Sequence, residues 1–356
     1  MRSLTIGNRV VSDDQPTYFI ADISANHDGD LGRAKALIEL GKEAGADAAK
    51  FQNFRAAKIV SAEGFAALSD ANSHQSKWKK SVFQVYQEAS LPWEWTGELK
   101  AHCDKVGIEY CSTPYDLPAV DMLNPYVRLF KIGSGDITWP EMLEYVARKG
   151  KPVLLSAGAA TMAEVRQAMR VVCAHASQVG LMQCNTNYTG SLENFRHLHL
   201  NVLKTLRAEF PDAVLGLSDH TPGHSSVLGA VALGARVIEK HFTDDTSREG
   251  PDHPFSMTPV TWRDMVDRTR ELELALGSTE KFVADNEQAT VVVQRRSLRA
   301  VAAMPAGAVI GAADVEALRP APRDAVAPYD LGKLLGRRLR IPVQKGEHFR
   351  WDMFDA

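Results

Sequence analysis

The strongest constraint on the fold is a unit that recurs along the first 276 residues: a short apolar run ends in polar residues, and a helical pattern follows it. The spacing of apolar residues in 31–46, 162–176 and 225–235 predicts helices, and a helix after each run makes successive strands parallel. Eight parallel strands are the number that closes a barrel. We therefore predict an α/β fold, a (β/α)8 TIM barrel, over residues 1–276. The eight runs are YFIADI (18–23), AAKFQ (48–52), IEYCSTP (108–114), LFKIGSG (129–135), PVLLSAG (152–158), VGLMQCN (179–185), VLGLSDH (214–220) and RVIEKHF (236–242).

Two stretches depart from this rhythm. Residues 53–105 are longer than the other connections and hold more than one helical pattern and a polar loop at 69–80. Residues 277–292 are polar and are interpreted as a linker. After them, 293–356 alternates short β-like runs with turn signals such as PAG and QKG. This alternation predicts a small, mostly β second domain with a thin core.

Composition narrows the class of protein. With 356 residues, 45% of them apolar, the chain can bury a large core, and its net charge of −3 gives no general basis for binding nucleic acid. The longest apolar runs are too short to span a membrane, and the first 16 residues lack the apolar segment of a signal peptide. Four cysteines without a C-x-x-C pair indicate reduced thiols. We expect a cytoplasmic protein with neither nucleic-acid nor membrane partners.

Polar residues recur at the carboxyl ends of the predicted strands, where a (β/α)8 barrel carries its active site. Lys50 and Lys131 are expected to point inward, and a buried ammonium group needs an anionic partner. Lysines, hydroxyls and the backbone N–H groups around Gly133 and Gly135 suit a phosphate or a phosphate-carboxylate ligand. We expect Glu239 to face away from His241 and to pair outside the pocket. The strand-end residues are Asp22, Lys50, Gln52, Ser112, Thr113, Lys131, Ser134, Ser156, Asn185, Ser218, Asp219, His220, Lys240 and His241.

Two histidines end neighbouring predicted strands, His220 the seventh and His241 the eighth. Adjacent strand ends lie close together, so the two imidazoles could share a metal ion. Two imidazoles completed by water and substrate oxygens suit Mn²⁺, Fe²⁺, Co²⁺ or Zn²⁺. Alternatively, each histidine hydrogen-bonds a neighbouring carboxylate. Spacing alone leaves both interpretations open.

Six motifs in matching order resemble the sialic acid synthase family, whose members make nonulosonic acids. The resemblance covers nearly the whole chain. The tail, through PAGAVIGAADVEALRP and LGRRLRIPVQKGEHF, resembles the antifreeze-like or SAF domain that ends these synthases. The six motifs are ISANHDGD (23–30), KFQ (50–52), KIGSGD (131–136), SDHT (218–221), IEKHFT (238–243) and GPDH (250–253).

This resemblance implies a metal-dependent condensation of phosphoenolpyruvate with an N-acylated amino sugar such as N-acetylmannosamine. The divalent metal, manganese first with magnesium or cobalt as alternatives, falls on His220 and His241. The resemblance makes Asp22 and Asp252 the carboxylates that orient the sugar and move protons. It implies a domain-swapped homodimer in which Arg319 reaches the sugar site of the partner's barrel. The remaining substrate contacts fall on Lys50, Gln52, Thr113, Lys131, Ser134, Ser156, Asn185, Thr186, Tyr188 and Ser218.

The chain departs from the family pattern at two positions that face the sugar. Asp22 stands where the family usually has glutamate, and Thr189 follows Tyr188 where the family usually has proline. Three alternatives therefore stay open. The acceptor could be a 2,4-diacetamido sugar of the legionaminic or pseudaminic type, or it could be a sugar phosphate. The chain could also be a non-catalytic carbohydrate-binding relative, although the retained lysines and histidines argue against this.

Overall fold

The computed structural model describes residues 2–68, 75 and 78–355, so most of the polar loop predicted at 69–80 lies outside the described residues. The chain divides into two compact units, Met1–Gly277 and Ser278–Ala356. Each unit has its own hydrophobic core. No helix in the described ranges is long and apolar enough to cross a membrane.

The first unit is the predicted barrel. Each of the eight apolar runs contains one strand of a single parallel sheet, in the order β5-β4-β3-β10-β9-β8-β7-β6, which confirms the predicted fold class. The two end strands, β5 and β6, pack side by side and close the barrel. The strands are β3 Tyr18–Asp22, β4 Ala48–Asn53, β5 Glu109–Pro114, β6 Phe130–Ile132, β7 Val153–Ser156, β8 Val179–Cys184, β9 Val214–Asp219 and β10 Val237–His241.

Helices return the chain between these strands, and their caps follow from the sequence. Asp30 accepts a hydrogen bond from the Arg33 N–H at the start of α1 (Leu31–Glu43), and Thr161 and Glu164 form a capping box at the start of α8 (Met162–Cys173). In the described part of the long stretch between β4 and α5 (Thr96–Val106), the chain forms three short α-helices. The helices are α1 Leu31–Glu43, α2 Ala56–Ile59, α3 Ala62–Ala67, α4 Val82–Ala89, α5 Thr96–Val106, α6 Leu117–Leu123, α7 Pro140–Ala147, α8 Met162–Cys173, α9 Val202–Glu209, α10 Ser225–Ala232 and α11 Pro259–Leu276.

An N-terminal hairpin seals the amino end of the barrel. Strands β1 (Ser3–Ile6) and β2 (Arg9–Ser12) pair antiparallel. The buried side chains of Leu4, Ile6 and Val11 pack in one cluster with inward-facing residues of the barrel strands, such as Leu154 and Met182. The amino end of the barrel is therefore filled with apolar side chains, and space for a ligand is left at the carboxyl end.

The second unit is small and mostly irregular, around an antiparallel pair of β11 (Ser297–Ala300) and β12 (Val315–Leu318). Its core gathers residues that are far apart in sequence, including Leu298 and Phe349. Residues 278–292, interpreted as linker, group with this unit, and part of them forms the start of α12 (Gln288–Gln294). The N–H of Ala321 donates to the carbonyl of Val292, which attaches α12 to the unit. A last short helix, α13, spans Leu331–Leu334.

Candidate active site

A cavity of about 390 Å³ lies at the carboxyl ends of the barrel strands. Its floor carries the sequence-predicted residues Gln52, Ser134 and His241, and Asp252 lines it from the loop after β10. Phe54 and Tyr86 belong to its outer side. The strand ends thus meet around one space large enough for small substrates.

The two predicted inward lysines lie within the barrel and are almost completely buried. The Lys50 ammonium group pairs with the Asp22 carboxylate, and Lys131 Nζ donates to Ser156 Oγ at 2.7 Å. Burial alone would lower the pKa of Lys50, but the nearby carboxylates of Asp22 and Glu239 outweigh it and raise that pKa. Lys50 therefore stays charged beneath the cavity floor.

Glu239 lies inside the barrel, so the expectation that it pairs outside the pocket is wrong. Residues two apart on a strand share a face, and Glu239 therefore points the same way as His241. Its Oε1 lies 3.8 Å from Lys50 Nζ and 3.6 Å from Lys131 Nζ, and it accepts a hydrogen bond from Ser218 Oγ at 3.2 Å. Two carboxylates, of Asp22 and Glu239, thus balance the two buried lysines.

Hydroxyl groups lie at the same end of the barrel strands as these lysines. Thr113, Ser156 and Ser218 are nearly inaccessible to solvent, and Ser134 Oγ accepts a hydrogen bond from the N–H of Gly158 at 3.0 Å. Gly158 must lack a side chain, because a Cβ there would lie 2.6 Å from Thr186 Cγ2 and 2.8 Å from Ser134 Oγ. Backbone and hydroxyl groups therefore approach one another closely around the cations, an arrangement that suits an anionic ligand.

The two histidine rings lie together, with ring centroids 5.5 Å apart. His220 Nδ1 lies 2.8 Å from the backbone carbonyl oxygen of Asn185, which can only accept, so Nδ1 carries the proton and Nε2 keeps its lone pair. Burial and the neighbouring His241 lower the pKa of His220 to about 3, so this imidazole is neutral at neutral pH. Asn185 acts here through its backbone, while its side chain donates to the carbonyl of His197.

His241 stands between two carboxylates without hydrogen-bonding either. Its Nε2 lies 3.6 Å from Asp22 Oδ2 and its Nδ1 lies 3.7 Å from Asp252 Oδ2, both longer than a hydrogen bond. Among the described residues, the buried Nδ1 has no hydrogen-bond partner. The available imidazole nitrogens fit a metal ion better than the alternative in which each histidine bonds a carboxylate. In the same part of the chain, no group of three or more His, Cys, Asp or Glu side chains could hold a metal by itself.

Asp252 is held by the loop after β3. Its Oδ2 accepts hydrogen bonds from Ser24 Oγ at 2.5 Å and from the N–H of Ala25 at 3.3 Å. The next residue, His253, is fully buried and bonds Asp28 Oδ1 at 2.9 Å. The loops after β3 and β10 are therefore joined, and the GPDH segment presents Asp252 beside His241.

Three further residues that the resemblance assigns to the sugar are Gln52, Tyr188 and Arg319. The ring of Tyr188 lies 4.3 Å from that of His220, and Gln52 Nε2 donates to Asp22 Oδ2 at 3.3 Å. Burial raises the pKa of Tyr188 well above its usual value, so its hydroxyl stays protonated. Arg319 belongs to the second unit, where it is exposed and forms no hydrogen bond or ion pair with any described residue.

Three strand-end residues from the sequence analysis point away from the cavity. Ser112 faces the outside of the sheet and donates to Asn53 Oδ1 at 2.5 Å. Lys240 and Asp219 form a buried ion pair, and Ser226 at the start of α10 also donates to Asp219 Oδ2. The alternation of a strand explains this, because each of these residues adjoins one that faces inward. They stabilise the sheet from its outer face, on the side away from the cavity.

Asp136 is a cavity residue that the sequence analysis did not select. Burial raises its pKa to about 6, although the charge of Lys131 opposes this. Its buried Oδ2 has no hydrogen-bond partner among the described residues. The signal was available, because Asp136 ends the KIGSGD motif that also supplies Lys131 and Ser134.

A closed barrel with buried cations and paired histidines at its carboxyl end defines the class of (β/α)8 barrel enzymes. A model described as the NeuB family matches residues 37–281, and one described as the SAF domain matches residues 295–355. The chain belongs to the NeuB family.

Named relatives cover nearly the whole chain. The N,N'-diacetyllegionaminic acid synthase of Campylobacter jejuni is 35% identical over 89% of this chain and 95% of that protein. The human N-acetylneuraminate-9-phosphate synthase is 30% identical over 98% of this chain and 95% of that protein. A crystal structure of N-acetylneuraminic acid (sialic acid) synthetase from Leptospira borgpetersenii matches with a TM-score of 0.71 at 28% identity, over 82% of this chain and 95% of that one.

Proposed function

We propose that this protein condenses phosphoenolpyruvate with an N-acylated amino sugar, such as N-acetylmannosamine, to give a nine-carbon 2-keto-3-deoxy acid and phosphate. The observation that carries the proposal is the pair of buried ammonium groups, of Lys50 and Lys131, at strand ends that also carry hydroxyls and two histidines. Buried cations at an open cavity suit a small, highly charged anion. The named relatives are synthases of this kind of acid.

In this reaction C3 of phosphoenolpyruvate attacks the aldehyde carbon of the open-chain sugar and forms the new C–C bond. Water adds at C2, and the C–O bond to phosphate then breaks, which leaves the 2-keto acid. The chain must hold the anion, orient the sugar and move protons. We assign the binding of the anion to Lys50, Lys131, Thr113, Ser134, Ser156, Thr186 and Ser218. Gln52, Asn185 and Tyr188 would orient the sugar. Asp22, Asp136 and Asp252 would move protons.

His220 and His241 would hold a divalent metal. Two imidazoles favour manganese over magnesium, because Mg²⁺ prefers an all-oxygen set of ligands. Magnesium and cobalt are the alternatives. Bound there, such an ion would supply a Lewis acid for the aldehyde oxygen of the acceptor. The carbonyl of Asn185 fixes the ring of His220, and Asp22 and Asp252 place negative charge on either side of His241.

The proposal is tested by incubating the metal-stripped protein with phosphoenolpyruvate and a panel of N-acyl amino sugars, with and without Mn²⁺. We expect phosphate release that requires both the metal and one of the sugars, with the nine-carbon acid identified by mass spectrometry. Phosphate released without any sugar would indicate a phosphatase. Sugar binding without metal or phosphoenolpyruvate and without turnover would favour the carbohydrate-binding alternative.

Asp136 should set the acid side of the pH profile. Its pKa of about 6 places its ionisation just below neutral pH, so a base at this position loses activity as the pH falls through 6. We expect kcat/KM to fall on the acid side of pH 6, and the Asp136→Asn variant to be slower with that fall absent. The measurement is kcat/KM for phosphoenolpyruvate from pH 5 to 9. An acid limb that persists unchanged in the variant would assign the ionisation to another group.

We further propose a cytoplasmic homodimer in which the second unit of one protomer supplies Arg319 to the barrel of its partner. The exposed guanidinium group, without a partner in the described part of its own chain, supports this role. So does the SAF match over residues 295–355, because the resemblance to the synthases includes this domain. Arginine suits the polar end of a sugar because it presents several donors in a fixed plane.

Arg319→Ala should raise the KM for the sugar about tenfold or more and change the KM for phosphoenolpyruvate little. Arg323→Ala, a nearby exposed arginine, serves as the matched control. Co-refolding Arg319→Ala with His220→Ala protomers tests the exchange. At low sugar it should restore about a quarter of the wild-type activity, since half the dimers are mixed and each has one complete site. No restoration would place Arg319 in the site of its own chain or outside any site.

A further inference from the structure

We propose that Ser24 is a positioning residue, whose hydroxyl holds the carboxylate of Asp252 so that one carboxylate oxygen stays free for the substrate. This inference rests on the proposed function, because Asp252 is assigned there to moving protons. Three observations carry it. They are the hydrogen bond between the two side chains, the backbone conformation of Ser24, and the bonds that fix the rest of the loop around Asp252.

The two carboxylate oxygens of Asp252 have different surroundings. Oδ2 accepts hydrogen bonds from Ser24 Oγ at 2.5 Å and from the N–H of Ala25 at 3.3 Å, while Oδ1 has no hydrogen-bond partner among the described residues. Asp252 lines the cavity, and its side chain keeps 17% of its surface exposed. A carboxylate oxygen without a partner at the edge of a cavity is available to accept a proton or a hydrogen bond from a ligand. The Ser24 hydroxyl therefore determines which oxygen is occupied and which is offered.

Ser24 has a backbone conformation that serine rarely adopts. Its φ is +48°, in the left-handed region, and the N–H of Asn26 donates to the carbonyl of Ile23 at 2.9 Å, so Ser24 is the second residue of a β-turn. Glycine fits such a position at no steric cost, whereas a Cβ is crowded there. Residues held in strained conformations cluster at active sites. Ser24 lines the cavity and is buried, so its side chain belongs to the site.

The backbone around Asp252 is fixed by bonds that do not involve Ser24. Ser256 Oγ donates to the carbonyl of Asp252 at 2.6 Å, and the N–H of Met257 donates to the carbonyl of His241 at 2.8 Å. Loss of the Ser24 hydroxyl should therefore leave the loop in place and free the carboxylate to turn. An alternative partner is close by, because the buried Nδ1 of His241 lies 3.7 Å from Oδ2 and has no hydrogen-bond partner among the described residues. A carboxylate that turned to this nitrogen would no longer present the same oxygen to the ligand.

Two substitutions separate the hydroxyl from the backbone. Ser24→Ala removes the hydroxyl and keeps the left-handed conformation occupied by a residue with a Cβ, whereas Ser24→Gly removes the hydroxyl and relieves the crowding. We expect kcat/KM for the sugar that the wild type accepts to fall at least about tenfold in both variants, because each loses a hydrogen bond to a charged group. The KM for phosphoenolpyruvate should change little. Ser24→Gly should nevertheless melt at a higher temperature than Ser24→Ala.

The measurements are initial rates of phosphate release with Mn²⁺ and both substrates, and thermal unfolding of the full-length protein. His199 supplies the matched control, because it has nearly the same conformation, with φ +49°, but is exposed and does not line the cavity. His199→Ala and His199→Gly should melt in the same order and keep the wild-type kcat/KM. Wild-type kcat/KM in either Ser24 variant would overturn the proposal. So would a loss that is confined to the less stable Ser24 variant, or a loss of the same size in the His199 pair.

Crystal structures of the wild type and of Ser24→Ala test the positioning without turnover. We expect Asp252 Oδ2 to leave its present place in the variant and to approach His241 Nδ1 to hydrogen-bond distance, while the backbone of the loop superposes. An unmoved carboxylate in a variant with reduced kcat/KM would mean that Ser24 acts on the substrate directly, which overturns the positioning role. A wild type that releases phosphate with no sugar of the panel would overturn the proposed function, whereas the place of the carboxylate would still decide whether Ser24 holds it.

Discussion

Replacing His220 by alanine should lower turnover about a thousandfold while the barrel stays folded. The ring lies at the carboxyl end of the barrel and donates a hydrogen bond to the Asn185 carbonyl, so its loss removes little from the core. What it removes is one of the two imidazoles that would hold the metal. His241 alone, between the carboxylates of Asp22 and Asp252, offers a much weaker site.

Two measurements check this result. Steady-state phosphate release gives the loss of turnover, and calorimetric titration with Mn²⁺ gives the affinity of the site without reference to activity. The control is His224→Ala, a histidine a few residues further along that pairs with Asp264 outside the cavity. Wild-type turnover or unchanged Mn²⁺ affinity in His220→Ala would contradict the metal assignment, and a lowered melting temperature in that variant alone would assign the ring a structural role.

Much of the fold could be predicted because each strand shows its own local sequence pattern. The runs from Tyr18 to His241 are apolar where the sheet is buried, and they end in polar residues where the barrel opens. The hairpin β1–β2 was not predicted, since its role depends on Leu4 and Ile6 meeting strands that are far away in sequence. Local patterns do not encode such contacts.

The site could be predicted less completely than the fold. Strand ends identify which residues are near the cavity, but the face of each residue depends on register, and a shift of one position reverses it. That is why Glu239 was placed outside and Lys240 at the cavity, when the structure has them the other way round. The contact of two aromatic rings on the outer side of the cavity was also missed. Phe54 and Tyr86 are 32 positions apart, and only the fold brings their rings together.

The second large effect is expected at Lys131, whose Nζ lies 3.6 Å from Glu239 Oε1. Lys131→Met should raise the KM for phosphoenolpyruvate at least about thirtyfold, the equivalent of about 2 kcal/mol lost from a buried charge contact. The KM for the sugar should change far less, because Lys131 contacts Ser156 and Glu239 beneath the cavity floor. Initial rates over a matrix of the two substrate concentrations give both constants. Equal rises in the two would count against a phosphoenolpyruvate role.

The same variant should also lose stability, by about 3 kcal/mol, because it leaves the buried Glu239 carboxylate with Lys50 as its one remaining cationic contact among the described residues. The double variant Lys131→Met/Glu239→Gln removes both charges and should recover most of the free energy of unfolding, measured in urea. It should not recover affinity for phosphoenolpyruvate, since the cation is still absent. Recovery of both would mean that Lys131 acts on the ligand only through the fold. Recovery of neither would mean that the loss of stability does not come from the unbalanced Glu239 carboxylate.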